Sequence, residues 1–594
     1  KGMVGQFFRQ FGITISAAVV ISLFVAFTLD PMLSSRFSKS LDDKRSTFAW
    51  LKKPFEWGFH QVELTYRAML GFAVRRKLLI GLGALASLVF MGWTMTLMGS
   101  EFVNAEDRGQ FVVEAELPAG AALGESSRAS RSAEAILLKN PEVKVLAATV
   151  GVDGEPNKVR WRVVTTPKQE RNVTLRSLKD VARTAAQTIQ GARVSVTDPQ
   201  FVEGAATEAP IMINVRGTEF QEIETAANKI EKILKKTPGV SDIQVRYSPG
   251  RPELEVVLDR KRAADRGLSL AEVALGLRTA MEGDESGNLR VDGGDEVPIR
   301  VRLSEDYRSQ AAQLANLTLQ TSKGPIKLSD VASFERGEGP QVIERENRQR
   351  QITIWATPIG RPLGDVAKEF QPAIAKAGLG KGISVVYDGQ LRLMNETNEN
   401  MALALMLGVV FIYIVLASQF ESFIHPLTIM LTLPLALVGG IVGLFLTNNT
   451  MAMGAIIGIV LLMGLVTKNA ILLIDRAIVH VRDGGMTPLA AILHAGPERL
   501  RPILMTSAAM VLGMLPTAVS NGEGSEFRAP MAIAVIGGVV SSTLLSLIVV
   551  PVFYLAIEGS KAWIARISRR LGLVRHSVPP LAAAPDETPA RAAE

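Results

Sequence analysis

Cysteine is absent from all 594 residues, so disulfides and thiolate metal centres are excluded. Histidine is scarce. His60, His425, His480, His494 and His576 are scattered and form no ligand-spaced pair such as HExxH. His480 and His494 fall in what reads as one solvated loop. No GxxxxGK[ST] loop occurs, which argues against drive by ATP. The chain opens KGMVGQFFRQFG, with neither an initiator methionine nor a signal peptide ahead of the first apolar block. It is therefore expected to begin partway through a longer protein.

What is present is apolar sequence in blocks. The chain is 47% hydrophobic with a mean hydropathy of +0.22, and the apolar residues gather in runs of about 20, which a soluble core does not require. Seven spans are expected, at about 11–30, 78–98, 399–418, 427–447, 453–475, 503–520 and 530–556. Net charge is +7, but the basic residues cluster beside these runs, a pattern of membrane orientation rather than of nucleic-acid binding. Residues 31–77 hold ten Lys/Arg against four acids, which makes that segment cytoplasmic. Counting spans then places 99–396 outside and the C-terminus inside. Arg476, Arg482, Arg499 and Arg501 in the 476–502 loop and Lys561 to Arg575 after the last span agree. Within 33–70, Trp50, Phe55 and Trp57 among lysines suit a helix lying on the inner membrane face or an ordinary connector. Beyond Ser577 the Pro/Ala/Glu-rich end reads as disordered.

The polar stretch 99–396 alternates helix and strand. Strands at 109–118, 143–150, 158–165 and 192–198 with helices at 122–139 and 175–190 give β-α-β-β-α-β, the ferredoxin-like order. A second unit starts with 210–217, 219–236 and 240–248 and resumes at 348–358, 362–377 and 382–389. Residues 251–343 are then an insertion.

One charge lies deep in an apolar run. Lys468 is near the middle of MGAIIGIVLLMGLVTKNAILLIDR (453–476), where a lysine costs at least ~2.5–3.5 kcal/mol. It either snorkels to an interface or belongs to a proton or ion relay. Asp475, seven residues on, shares its face about 10 Å away, too far for a direct ion pair. Asn469 projects about 100° away, towards a different helix. In RLRPILMTSAAMVLGMLP (499–516), Pro502 suits a helix N-terminus, Arg499 and Arg501 anchor the inner face, and Thr506 and Ser507 supply hydroxyls. No Asp or Glu occupies the middle of any span, so Lys468 lacks a carboxylate partner here. Gly439/Gly443 and Gly454/Gly458 fit close packing of the 427–447 and 453–475 helices, and Pro434 would loosen its helix locally.

GLVTKNAILLIDRA (464–477), ERLRPILMTSAAMVLGMLP (498–516) and FIYIVLASQFESFIHPLTIMLTLPLALVGG (411–440) resemble the C-terminal half of resistance–nodulation–division (RND) efflux permeases. GSEFVNAEDRGQFVVEAELPAG (99–120) and FFRQFGITISAAVVISLFVAFTLDPML (7–33) share the likeness, in matching order. The resemblance implies a polytopic α-helical membrane domain and a large α+β periplasmic domain of ferredoxin-like porter subdomains. The expected division is spans at 1–30 and 78–98 around the basic segment 31–77, then a porter subdomain at 99–207. A second porter subdomain comes in two parts, 208–250 and 344–396, around a docking subdomain at 251–343. A five-span domain at 397–557 and a tail at 558–594 complete it.

The same resemblance implies a non-enzymatic proton/substrate antiporter of the Gram-negative inner membrane, without cofactor, coupled to protons. Its partners would be the N-terminal half of the permease, two further copies in a homotrimer, a periplasmic adaptor, an outer-membrane channel and an amphiphilic substrate, with no nucleic acid. Lys468, Thr506 and Arg499 match relay positions, and Asn469 and Asp475 accompany them; the relay aspartates belong to a span this chain lacks. Phe111, Glu114 and Trp161 are candidate substrate-pathway residues. The loop GVDGEPNKVRW (151–161) is short, with Trp161 its only aromatic, and Glu114 and Glu116 alternate on one strand face, exposed to solvent or to a cationic substrate. Met212, Met281 and Met394 form no evident cluster for soft cations. A metal-cation exporter and a truncated, non-transporting scaffold are the alternatives.

Overall fold

A computed structural model describes residues 2–570 apart from 38–48, 119, 200–208, 248–250, 292, 295, 322 and 340–341. The disordered end expected beyond Ser577 and part of the 33–70 segment, including the Trp50 and Phe55 side chains, lie outside the described residues. The chain divides into two compact units: residues 1–108, 360–368 and 390–594, and residues 109–359 and 369–389.

The first unit opens with α1 (Gly2–Phe37), α2 (Ala49–Arg75) and α3 (Lys77–Leu97). α2 packs one face on the bundle: Tyr66, Leu70, Ala73 and Val74 are buried, and the Tyr66 hydroxyl donates to the Leu547 carbonyl at 3.1 Å. Trp57 on the same helix stays 68% exposed.

The second unit carries two sheets. β1 (Gln110–Glu116), α4 (Leu123–Leu137), β2 (Val143–Val150), β3 (Lys158–Thr165), α5 (Leu175–Gln187) and β4 (Arg193–Thr197) form a four-stranded antiparallel sheet of order β2-β3-β1-β4. β5 (Ile211–Gly217), α6 (Phe220–Lys236) and β6 (Val240–Val245) begin the second sheet. The chain then leaves it for β7 (Arg251–Leu258), α7 (Arg260–Asp265), α8 (Leu270–Met281), β8 (Asp284–Arg290), β9 (Glu296–Val301), α9 (Glu305–Arg308), α10 (Ala311–Ala315), β10 (Thr318–Thr321), β11 (Gly324–Lys327) and β12 (Ala332–Gly339). It returns with β13 (Arg345–Glu346), β14 (Gln349–Pro358), α11 (Leu363–Lys376) and β15 (Ser384–Gly389). β6, β14, β5 and β15 then lie side by side, so both sheets place their strands in the order second, third, first, fourth. Local chemistry sets the helix starts. Thr174 caps α5, Asp259 caps α7, and Ser269 with Glu272 closes a capping box on α8. The Arg183 guanidinium on α5 grips Asp242 on β6 at 3.0 and 3.1 Å, and Asp242 also accepts the Val196 N–H at 3.2 Å. Burial alone would lower the Arg183 pKa. Asp242 and Asp180 more than offset it, holding the group above its usual value.

Back in the first unit come α12 (Gln390–Phe420), α13 (His425–Met430), α14 (Thr432–Leu446), α15 (Met453–Arg482), α16 (Pro488–Ala518) and α17 (Ser525–Arg570). Among the described residues seven stretches are long and apolar enough to cross a membrane: α1, α3, α12, α13–α14 together, α15, α16 and α17. Pro434 leaves the Met430 carbonyl without its usual donor, and the helix breaks there, between α13 and α14. Pro502 does not start a helix. Thr487 caps α16 with Pro488 at its first turn, and Pro497, Pro502 and Pro516 all lie inside it. Such prolines survive in apolar helices whose neighbours satisfy the freed carbonyls.

The glycine pairs pack, but not against each other. A Cβ on Gly439 would lie 2.2 Å from the Gly537 carbonyl oxygen, and one on Gly454 or Gly458 would lie 2.3 or 2.6 Å from the Phe527 or Met531 oxygen. Both α14 and α15 therefore press their backbones onto α17. Spacing identifies a smooth helix face and leaves its partner open.

At one end of α15 three segments meet. Ser100 bridges Met451, Met451 N–H donates to Gly99 O at 2.8 Å, and Met453 N–H donates to Phe102 O at 3.1 Å. Gly364 N–H donates to Ser100 O at 2.8 Å. Burial raises the Glu101 carboxyl above the usual range; a hydrogen bond to Thr450 works against this and nearby Asp365 adds to it.

Two outcomes test these contacts. Gly458→Leu should cost several kcal/mol by overpacking and reduce the folded yield in detergent, whereas Gly464→Ala, with nothing within 4 Å of its Cβ, should be tolerated. Because folding favours the protonated form of Glu101, its contribution is present at acid pH and is lost as pH rises through its raised pKa. Hydrogen exchange at the Met453 amide should therefore quicken with rising pH beyond the intrinsic rate. Glu101→Gln should remove that excess.

Candidate functional site

α15 has 3.6 residues per turn, so adjacent residues point about 100° apart. This places Lys468 and Asn469 in opposite surroundings. Lys468 stands exposed on the flank of the membrane-type unit, and among the described residues it makes no hydrogen bond or ion pair. Gly464, one turn earlier, continues the same open strip. Asn469 is 2% exposed and reaches two other helices. Its amide nitrogen donates to Ser507 Oγ on α16 at 3.3 Å and to Thr543 Oγ1 on α17 at 3.2 Å.

Donor counting gives this network one consistent direction. Thr543 gives its hydroxyl proton to the Val539 carbonyl at 2.6 Å, so its oxygen can only accept. With that proton so placed, Ser507, 2.8 Å away, donates to it, and the amide nitrogen supplies the remaining protons. Asn469 Oδ1 is left buried without a donor among the described residues. A contact of this kind in an apolar bundle is worth ~0.6 kcal/mol on average, while an orphan acceptor costs ~1–3 kcal/mol. The network therefore selects a geometry more than it stabilises one.

The other relay candidates are not gathered around Lys468. Thr506 bonds back to the Ile503 carbonyl of its own helix at 3.1 Å, the usual behaviour of a lone helical threonine. Arg499 is partly buried, with its Nε unpartnered among the described residues. Asp475 is exposed two turns beyond Lys468. His480 and His494 do not share a loop: they lie on α15 and α16, with ring centroids 6.3 Å apart. Beside them Glu498 binds Arg476 Nε at 2.6 Å and His480 Nε2 at 3.2 Å. The i,i+4 spacing of Arg476 and His480 was the available signal for this cluster; nothing in the sequence marked Glu498 as its centre.

In the second unit the strand alternation separates the three pathway candidates. Phe111 and Trp161 point to the helix-covered side of their sheet, 1% and 0% exposed, and Trp161 Nε1 donates to Ser130 Oγ at 3.0 Å. They are core, not lining. Glu114 points to the opposite face and pairs with Arg160 at 2.6 Å. Glu116 on that face lies 3.5 Å from Arg246, whose guanidinium covers the Trp355 ring at 4.3 Å. No group of three or more His, Asp or Glu among the described residues is placed to hold a metal ion.

A sequence profile described as the AcrB/AcrD/AcrF family matches residues 1–558. Two solved structures, described as the X-ray crystal structure of a heavy metal efflux pump in crystal forms I and II, resemble the chain with a TM-score of 0.76 and 25% identity. Each match covers 84% of this chain and 52% of the other, so the chain spans about half the length of these structures.

Placing Phe111 and Trp161 in the core has a measurable consequence. Trp161→Ala should cost ~3–5 kcal/mol and lower the melting temperature of the second unit, followed by circular dichroism. Glu114→Gln, breaking a half-exposed pair, should change stability by less than ~1 kcal/mol.

Proposed function

The chain belongs to the AcrB/AcrD/AcrF family of RND permeases, which are transporters rather than enzymes, and we propose that it forms the C-terminal half of a proton-driven efflux permease. The observation that carries this reading is Lys468, an ammonium halfway along a membrane-length helix, exposed on a flank where another protein segment can meet it. A lysine at that depth is stabilised by a carboxylate facing it, and a buried carboxylate near a movable ammonium titrates in a useful range. The N-terminal half of the permease supplies that acid. Proton uptake there weakens its hold on Lys468, and release restores it. Arg499, Asn469 and Asp475 line the same helix pair, and Thr506 contributes a hydroxyl once its own-helix bond is exchanged.

In this reading 99–396 faces the periplasm of a Gram-negative cell, with ferredoxin-like porter subdomains and residues 251–343 as the docking subdomain. The permease works as a homotrimer in the inner membrane with a periplasmic adaptor and an outer-membrane channel. Apolar side chains exposed along α1, such as Phe24 and Phe27, support a missing partner segment or lipid against that helix. The cargo is an amphiphilic small molecule.

A heavy-metal cation is the second reading of the cargo, favoured by the two structures described as heavy metal efflux pumps. Met91, Met98 and Met451 also pack in one apolar cluster, a group the sequence did not suggest, and thioethers suit soft cations. Deletion separates the two: sensitivity to organic amphiphiles with unchanged zinc, copper and silver tolerance supports the first, and the converse supports the second.

In the complete transporter, Lys468→Ala should abolish proton-coupled export while the protein remains inserted and trimeric. Normal export by that variant would falsify the relay. Thr506→Ala should reduce export only partially, because water can replace a hydroxyl.

A further inference from the structure

The reading of Lys468 as the coupling residue leaves open what holds it on the open flank of α15. The Gly454 and Gly458 contacts with α17 set the face of α15 towards its tip, nearly three turns from Lys468; closer to the lysine the apolar side chains have no bonding direction of their own. A turn of one residue, about 100°, would carry Lys468 into the bundle and Asn469 out of it. At the level of Lys468, groups that are polar, buried and directional oppose this most specifically. Asn469, Ser507 and Thr543 meet those conditions and draw on three different helices.

We propose that Asn469, Ser507 and Thr543 form a three-helix clasp that fixes the rotation of α15 and so holds Lys468 on the exposed face; Ser507 and Thr543 are positioning residues for proton coupling. The proposal rests on the relay reading for its purpose, but its geometry stands apart from transport.

Three features of the clasp support this role. Its contacts are mutually consistent: with the Thr543 proton on Val539 O, Ser507 donates to Thr543 and the Asn469 amide nitrogen donates to both hydroxyls. It lies one residue from Lys468, so an error in rotation at the clasp is the same error at the lysine. It is also anchored: Gly439 and Gly458 bring α14 and α15 into backbone contact with α17, leaving little room for Thr543 to follow a rotating α15. The buried and unpartnered Asn469 Oδ1 means that the clasp has not spent its full bonding capacity. A donor arriving there would strengthen it, and the opposite flip of the amide would have to rebuild both hydroxyl contacts.

The chain contains no cysteine, so single-cysteine reporters can be placed without background from it. A nitroxide is attached at Lys468→Cys or Gly464→Cys on the open strip of α15, and at Leu85→Cys on the exposed face of α3 as control. Spectra of the purified full chain are compared with and without Ser507→Ala combined with Thr543→Val. In that background the spectra at 464 and 468 should gain an immobilised component several times larger than in the parent, while 85 is unchanged. Reciprocal exchange, Asn469→Thr with Thr543→Asn, rebuilds the contact from the other side and should return 464 towards its parental spectrum.

Unaltered spectra at 464 and 468 overturn the clasp. A parallel change at 85 overturns it as well, because it reports general loosening rather than rotation, and so does failure of the exchange to restore 464. Normal export by Lys468→Ala would remove the relay and leave these spectra as they are, so the two ideas fail separately.

Discussion

Backbone contact with α17 is the constraint on which the membrane-type unit depends. Gly439 on α14 and Gly454 and Gly458 on α15 have no side chain to hold the last helix away, and carbonyl oxygens of α17 lie where Cβ atoms would otherwise be. In an apolar medium water does not drive helices together, so this close dispersion contact must do much of that work. The polar residues of α17 then have fixed neighbours: Ser541 donates to the Leu435 carbonyl on α14, and Thr543 meets Asn469 and Ser507. The glycines thus govern chemistry several turns away.

Much of the architecture was legible because it follows from period and length. Long apolar runs became long helices, and the alternation at 110–117 and 158–165 became two half-buried strands in one sheet. Lys468 was legible as an anomaly, and Asn469 as the residue turned towards other helices. Partner identity was not legible. The glycine spacing marks a flat face and says nothing about which helix lies on it: α14 and α15 do touch, through Ala436 and Leu462, but the glycines themselves press on α17. Ser507 and Thr543 look like ordinary small residues inside apolar runs, and only their meeting point gives them meaning. Trp161 and Phe111 show the opposite case: an aromatic near a loop reads as a lining residue, and strand register turns both of these inward. His480 and His494 read as loop residues because helices α15 and α16 both run further than their apolar segments.

The second unit is held by a different economy. Two sheets of like strand order each keep their own apolar core, and a charged pair joins them: Arg183 and Asp242, with Asp242 in a left-handed backbone conformation at φ 51°. Aspartate tolerates that region better than most side chains, so the backbone turn and the carboxylate can be supplied by one residue. The bond is bidentate and largely buried, which makes it directional in a way that apolar contact between edges is not.

The first free amide of α15 is not free. Met453 N–H is held by Phe102 O, and the neighbouring Ser100–Met451 bridge ties the same end to the chain leaving α3. A helix pinned at its tip cannot slide along its axis without breaking that knot, which leaves tilt and twist. With Asn469 engaged halfway down, twist is taken as well in the upper half. Below Lys468, Arg476 and His480 meet Glu498 on α16 while Leu473, Ile474 and Ala477 are buried, so the helix is held at its tip, its middle and its lower third.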